Sequence, residues 1–200
     1  MARRQKDNGK VFKIAMSSLI ALLMIFSVFG ILIGSYSSEL RFGKYKFAQD
    51  STSGIYTIKI AGKEMTFYTL PSDASAIQFP NSTVQKIESA TYLITTFNPN
   101  TANESTPYIE IARFDMASAM ANKTIFSSVS EPSELYAALP VFTCENATAG
   151  VPVIVFNVSD VIGVHDYGNC IYLDGKATDF LRLRDRILYE HYGVLHYGNI

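Results

Sequence analysis

Three histidines, His165, His191 and His196, are the side chains of this chain that would titrate near neutral pH. His191 and His196 stand five apart, the wrong spacing for a shared helical face. Asp166 beside His165 would orient the imidazole only if the backbone doubled back, because adjacent side chains diverge. Five carboxylates, Asp160, Asp166, Asp174, Asp179 and Asp185, fall within 26 residues. Two of them facing each other across a cleft would serve as general acid and base, so a hydrolase using carboxylates near Asp160 and Asp166 is the enzymatic reading. Ordinary structural roles account for the other three: Asp174 in a turn, Asp179 at a helix cap and Asp185 in surface pairing. Arg182, Arg184 and Arg186 form a basic cluster, but helical spacing of two sends neighbours to divergent sides, which fits a solvated helix surface. No Gly-x-Ser-x-Gly elbow, phosphate loop, Gly-x-Gly-x-x-Gly or His-Glu-x-x-His occurs. Catalytic residues therefore stay unassigned, and no cofactor or metal is implied.

The chain has two cysteines, Cys144 and Cys170. In an oxidising compartment such a pair forms a disulfide, and Cys-x2-Cys metal spacing is absent. Closing the 26-residue span would stabilise the fold by about 3.5 kcal/mol in the chain-entropy model. Five of the ten asparagines, Asn81, Asn103, Asn122, Asn146 and Asn157, head Asn-x-Ser/Thr triplets, where about two are expected by chance. An acceptor asparagine needs an exposed position outside the cytoplasm.

Both features need export, and the N-terminal region supplies the element for it. Ile14 to Ser38 carries no charge, and Ile14 to Ile33 is apolar except for Ser17, Ser18, Ser27 and Gly30. Twenty helical residues rise about 30 Å, the hydrocarbon thickness of a bilayer. A cleaved signal peptide has a shorter apolar core and an Ala-x-Ala-like site, whereas here Gly34-Ser-Tyr-Ser-Ser38 follows. The expected organisation is a cytoplasmic tail at 1–13, a transmembrane helix at 14–35, a juxtamembrane linker at 36–50 and an extracytoplasmic domain at 51–200. Arg3, Arg4, Lys6, Lys10 and Lys13, against Asp7 alone, place the N-terminus inside the cell. Gly30, Gly34 and Ser38 follow the small-xxx-small pattern of helix pairing in lipid, with a second copy or a partner's membrane helix. Residues 36–47 interleave aromatics with cations, which suits the headgroup region. Residues 39–200 hold 12 Lys/Arg and 17 Asp/Glu, which argues against nucleic acid as a partner.

Beyond the linker the pattern predicts strands at Tyr56–Ala61 and Glu64–Leu70 around a Gly62-Lys63 turn. Further strands are expected at Thr91–Phe97, Tyr108–Phe114, Ile125–Val129, Val141–Cys144, Val151–Val158 and Asn169–Leu173. The Thr91–Phe97 and Tyr108–Phe114 strands would pair antiparallel. Val151–Val158 is apolar on both faces and reads as central. Short helices are expected near Val84–Ser89 and over Met116–Asn122, the latter capped by Asp115, with one helical turn between Pro132 and Pro140. A main helix runs from Thr178 or Asp179 to about Tyr192, its apolar stripe Phe180, Leu181, Ile187, Leu188 and Tyr192 facing a sheet, with Gly193 as its stop.

Tyr108-Ile-Glu-Ile-Ala-Arg-Phe-Asp115, Thr143-Cys-Glu-Asn-Ala-Thr148, Pro152-Val-Ile-Val-Phe156, Asn169-Cys-Ile-Tyr-Leu173 and Arg182-Leu-Arg-Asp-Arg-Ile-Leu-Tyr189 come in this order. The series resembles small membrane-anchored archaeal surface proteins of unassigned function. That resemblance implies a surface location and archaeal N-glycosylation, and it brings no catalytic residues. The expected fold class is α+β (or α/β): an N-terminal transmembrane helix, then a mixed sheet of five to seven strands with two main packed helices. The expected function is a membrane-anchored binding or assembly module, with the lipid bilayer as its first partner.

Overall fold

A computed structural model of the chain describes residues 8–34, 39–60 and 62–195. It divides into two compact units, 1–38 and 39–200. The first contains helix α1, Asn8–Gly34. Its described side chains, 13–27, are exposed throughout. Among the described residues no helix is long and apolar enough to cross a membrane. Gly30 and Gly34 fall on α1 one turn apart, while Ser38 lies outside the described residues.

The second unit is a mixed α+β domain with two sheets where one was expected. The first sheet is an antiparallel meander of β1 (Glu39–Phe42), β2 (Tyr45–Gln49), β3 (Tyr56–Ile60) and β4 (Lys63–Phe67). Residues 39–49, expected as linker, thus form two of its strands. The period-2 alternation of Leu40, Phe42, Tyr45 and Phe47 with Arg41, Lys44 and Lys46 is that of a half-exposed sheet. Gly62, at φ +81, makes the expected β3–β4 turn, where a left-handed backbone favours glycine.

The second sheet runs in the order β6-β5-β7-β9-β8. Its strands are β5 (Tyr92–Phe97), β6 (Thr124–Ser127), β7 (Val153–Val158), β8 (Gly163–Tyr167) and β9 (Cys170–Gly175). All neighbours are parallel except the β8–β9 pair at one edge. β7 sits centrally, in line with its two-sided apolar sequence. β8 carries only one buried residue, Val164, and its charged and polar neighbours leave no strand signal in the sequence.

Two strands of the sequence reading are corrected. Residues 108–114 are not a strand but the middle of a helix, α4 (Thr106–Ala119), with Asp115 inside it rather than at a cap. The reason is topological: β5 and β6 are parallel, and a parallel pair needs a crossover, usually helical. The buried positions Ile109, Ala112, Arg113 and Met116 trace one helical stripe, and Pro107 fits the first turn, where its missing N–H is harmless. Val141–Cys144 is not a strand either. It makes a single parallel bridge, Val129 to Val141, and then a 3-10 turn at Cys144–Asn146. Short helices α2 (Pro71–Ser75) and α3 (Asn81–Ser89) precede β5.

The last helix, α5 (Asp179–His191), ends before Gly193 at φ +63, as its sequence predicts. Its surroundings differ from the expectation. Residues 183–189 are all buried, because the helix packs against β9 and α4 and also meets the first sheet. Tyr189 stacks flat on Phe67 of β4, centroids 4.2 Å apart, and edge-on to Phe47 of β2 at 6.2 Å. One continuous core joins both sheets through this helix.

Candidate functional site

Alternation along the second sheet separates its two faces. Leu93, Phe97, Ile154, Phe156, Ile171 and Leu173 point to the side of α4 and α5 and belong to the main core. Ile94, Val153 and Cys170 point to the opposite side and form a small cluster of their own under the segment 142–151. That segment is fastened by three contacts. Thr96 Oγ1 donates to the Phe142 carbonyl at 2.9 Å, and the Phe142 N–H donates to Val129 O at 2.9 Å. The third is the Cys144–Cys170 disulfide, which bears out the expected pairing.

The covering segment stops short of β6. Between the two runs an open groove of about 420 Å³, walled by Tyr92, Ile94, Phe126, Pro140, Phe142 and Val151. The rings of Tyr92 and Phe126 lie roughly parallel, 6.3 Å apart, and are 48% and 51% exposed. No charged side chain lines the groove, and Asn146 and Thr148, two members of one Asn-x-Thr triplet, stand on its rim. Sequence reasoning had no signal for it: Tyr92, Ile94 and Phe126 sit in β-rich runs that read as core, and that the rings of Tyr92 and of Phe126, on the edge strand β6, stay half-exposed follows from strand order and from the reach of the covering segment.

His165 is oriented, but not by Asp166. Its Nδ1 lies 2.8 Å from Asp174 Oδ2, and its ring stacks on Tyr172 at 4.9 Å. Asn157 Nδ2 donates to the other Asp174 oxygen at 2.6 Å. Asp174 is a β9 residue in register with Gly163 of β8 rather than a turn residue, and this brings it diagonally beside His165. His191 meets Glu88 at 2.7 Å. His196 lies outside the described residues.

The structure does not bring Asp160 and Asp166 into one site. Asp160, in the β7–β8 connection, pairs with Lys176 at 2.7 Å and is 90% exposed. Asp166, on β8, contacts Lys86 and accepts from Ser82. The lysine beside each holds its carboxyl below the usual aspartate range. Among the described residues, no group of three or more His, Cys, Asp or Glu side chains is placed to hold a metal ion. All five asparagines of the glycosylation triplets are exposed.

The expectation that Asp185 and the arginines of α5 lie on a solvated surface is corrected. Asp185 is fully buried and Arg184 nearly so. One Asp185 oxygen accepts from Tyr68 N and Thr69 N, both at 2.7 Å, and from Thr69 Oγ1 at 3.0 Å. The other accepts from Arg184 at 2.6 Å. Arg184 also reaches Asp115 on α4 and the Thr66 carbonyl. Arg186, equally buried, donates to Ile77 O and Glu190. These ions bond one another and the loop after β4, with Arg184 Nε alone left buried without a hydrogen-bond partner, so they tie the first sheet to α5. Only Arg182 remains half-exposed, paired with Asp179. No family model, curated protein or solved structure matches the chain.

Proposed function

We propose that this protein is a membrane-anchored, glycosylated cell-surface module that binds an apolar segment of a partner protein through the groove over β5 and β6. The observation that carries the reading is the groove itself: two half-exposed aromatic rings beside apolar walls, without a charge. Uncharged concave surfaces with exposed aromatics favour apolar and aromatic anchors over anions or polar substrates. A volume of about 420 Å³ suits one or two large side chains.

Anchoring is supported by the uncharged run Ile14–Ser38 and by the side chains of α1 over 14–27, which are exposed and apolar except for Ser17, Ser18 and Ser27. A helix apolar on every side is stable only inside a protein core or in lipid. The disulfide and the five exposed acceptor asparagines suit the far side of that membrane. Gly30 and Gly34 would admit a second helix. The alternative, an extracytoplasmic hydrolase using carboxylates near Asp160 and Asp166, has no comparable support, because each is tied to its own lysine.

The test is capture from detergent extracts of the full chain, anchor intact, compared with Phe126→Ser. Phe126 is half-exposed, so the variant keeps the fold. The expected outcome is a stoichiometric partner recovered with the wild type and reduced at least ten-fold with the variant. A monodisperse monomer without a partner, or equal capture by both, would overturn the reading.

A further inference from the structure

The backbone of β6 is committed on one side. In the second sheet β6 lies beside β5, and among the described residues no strand follows it outward. The N–H groups of Thr124, Ser128 and Ser130 donate to the carbonyls of Thr91, Thr95 and Phe97, each at 2.9 Å. Alternate residues along a strand aim their backbone groups at opposite edges, so Ile125, Ser127 and Val129 aim outward. At Val129 the chain itself takes that edge. The Val129 N–H donates to Pro140 O at 3.1 Å, and the Val129 carbonyl accepts from Phe142 N at 2.9 Å, a parallel bridge between Val129 and Val141. One step back along this ladder, the N–H of residue 140 would donate to the Ser127 carbonyl. Residue 140 is a proline and has no N–H. The pairing stops there, and among the described residues no strand takes the N–H and C=O groups of Ile125 and Ser127.

Charge and proline ordinarily guard such an edge. Thr124-Ile-Phe-Ser-Ser-Val129 contains neither. Lys123, just before it, is buried with its ammonium on the carbonyls of Glu88 and Ala90. The opposite edge of the sheet is guarded: β8 carries Asp166, paired with Lys86 of α3. Thr124, Phe126 and Ser127 are exposed and Ile125 is half-buried, so the strand is within reach of a partner.

We propose that β6 takes an extended, uncharged segment of the partner protein as an added strand, an inference that deepens the groove reading above and rests on it. An added strand bonds through its backbone, and its alternate side chains meet the pockets of one face. The outward N–H and C=O groups of Ile125 and Ser127 supply the backbone bonds. Register partners share a face, so the partner residue opposite Phe126 falls on the groove side, beside the Phe126 ring. Its two neighbours fall on the other face, beside Ile125 and Ser127. The partner segment is therefore β-forming, with a large apolar residue opposite Phe126. A helical partner would leave the outward groups of β6 unbonded.

The experiment uses the full chain in detergent and the blocked peptide acetyl-Ser-Thr-Val-Phe-Val-Thr-Ser-amide as probe. Titration calorimetry gives its Kd, and hydrogen–deuterium exchange follows the Ile125 and Ser127 amides. Binding should slow exchange at both. N-methylation of alternate peptide residues should weaken binding about ten-fold in one phase and leave it unchanged in the other, because one set of amides faces β6 and the other faces solvent. These analogues test the edge on the unaltered chain. Ser127→Pro should also weaken binding about ten-fold, by removing an outward donor. The N–H it removes makes no bond to β5 and an edge strand tolerates proline there, so thermal unfolding should stay unchanged. Phe126→Ser should weaken binding as well. Loss with Phe126→Ser alone, or equal effects of the two N-methyl phases, would overturn strand addition and leave the groove reading standing. Absence of binding at millimolar peptide would do the same. Equal binding by wild type and Phe126→Ser would overturn the groove reading and this inference with it.

Discussion

At the scale of single residues, the charges of this protein divide into those that meet solvent and those that finish the backbone. Lys123 donates to the carbonyls of Glu88 and Ala90, both at 3.0 Å, and so closes the C-terminal end of α3, where carbonyls lack helical partners. Arg113 bridges Thr95, Ser128 and Glu110 and lies over the Phe97 ring. Asp185 is the most consequential of the set. Burial pushes its carboxyl up to about 6, against the pull of Arg184 and of the Tyr68 and Thr69 amides. An acid whose folded-state pKa is raised binds more protons folded than unfolded between the two values, so its contribution falls as pH rises through about 6. Asp185→Asn removes the titrating group and leaves the buried Arg184 with Asp115 as its one carboxylate partner. The variant should lose about 3–5 kcal/mol at pH 7 by urea denaturation. The gap between wild type and variant should widen as pH is lowered from 7 to 4. A gap that narrows over that range would show that the hydrogen bonds, not burial, dominate the carboxyl.

At the scale of elements, α5 decides how the two sheets come together. Its contact with β9 depends on Gly175, where an added Cβ would fall 2.8 Å from Asp179 Cβ and 3.3 Å from Leu183 Cδ1. Those atoms belong to the first turns of α5, so the helix would have to move as a body. Gly175→Ala should therefore destabilise the domain by about 1–3 kcal/mol, measured by thermal or denaturant unfolding. A neutral effect would mean that α5 slides on β9 without cost. Much of this element was legible in sequence: its cap region, its length, its apolar stripe and its terminating glycine. The burial of its remaining face was not, because a polar stripe reads as solvated unless the partners for each charge are known. Those partners are the Thr66–Thr69 loop and Asp115, more than 60 residues away. For α4 the local reading failed outright. Tyr108-Ile-Glu-Ile alternates like a strand, and only the parallel pairing of β5 with β6 demands the helix.

At the scale of the whole molecule, topology and surface chemistry belong together. If the N-terminal run is the anchor, alkaline carbonate washing should leave the protein in the membrane fraction. Protease added to intact cells should then remove everything beyond the anchor. Retention of an intact chain after such digestion would reverse the topology. What the sequence alone determined was what depends on composition and short spacing: an uncharged run of bilayer length, five acceptor triplets, one cysteine pair, the strands β5, β7 and β9, and a terminal helix. What only the tertiary structure decided depends on which distant segments become neighbours. That includes a separate four-stranded sheet, two of whose strands come from residues that read as a membrane-side linker, a helix in place of a strand, the His165–Asp174 pair and the ion network inside α5. It also includes the groove, whose aromatic rings are exposed because β6 is an edge strand and the disulfide-held segment falls short of it. Periodicity reports how many sides of an element are buried, but not which partner buries them, and sites are made by partners.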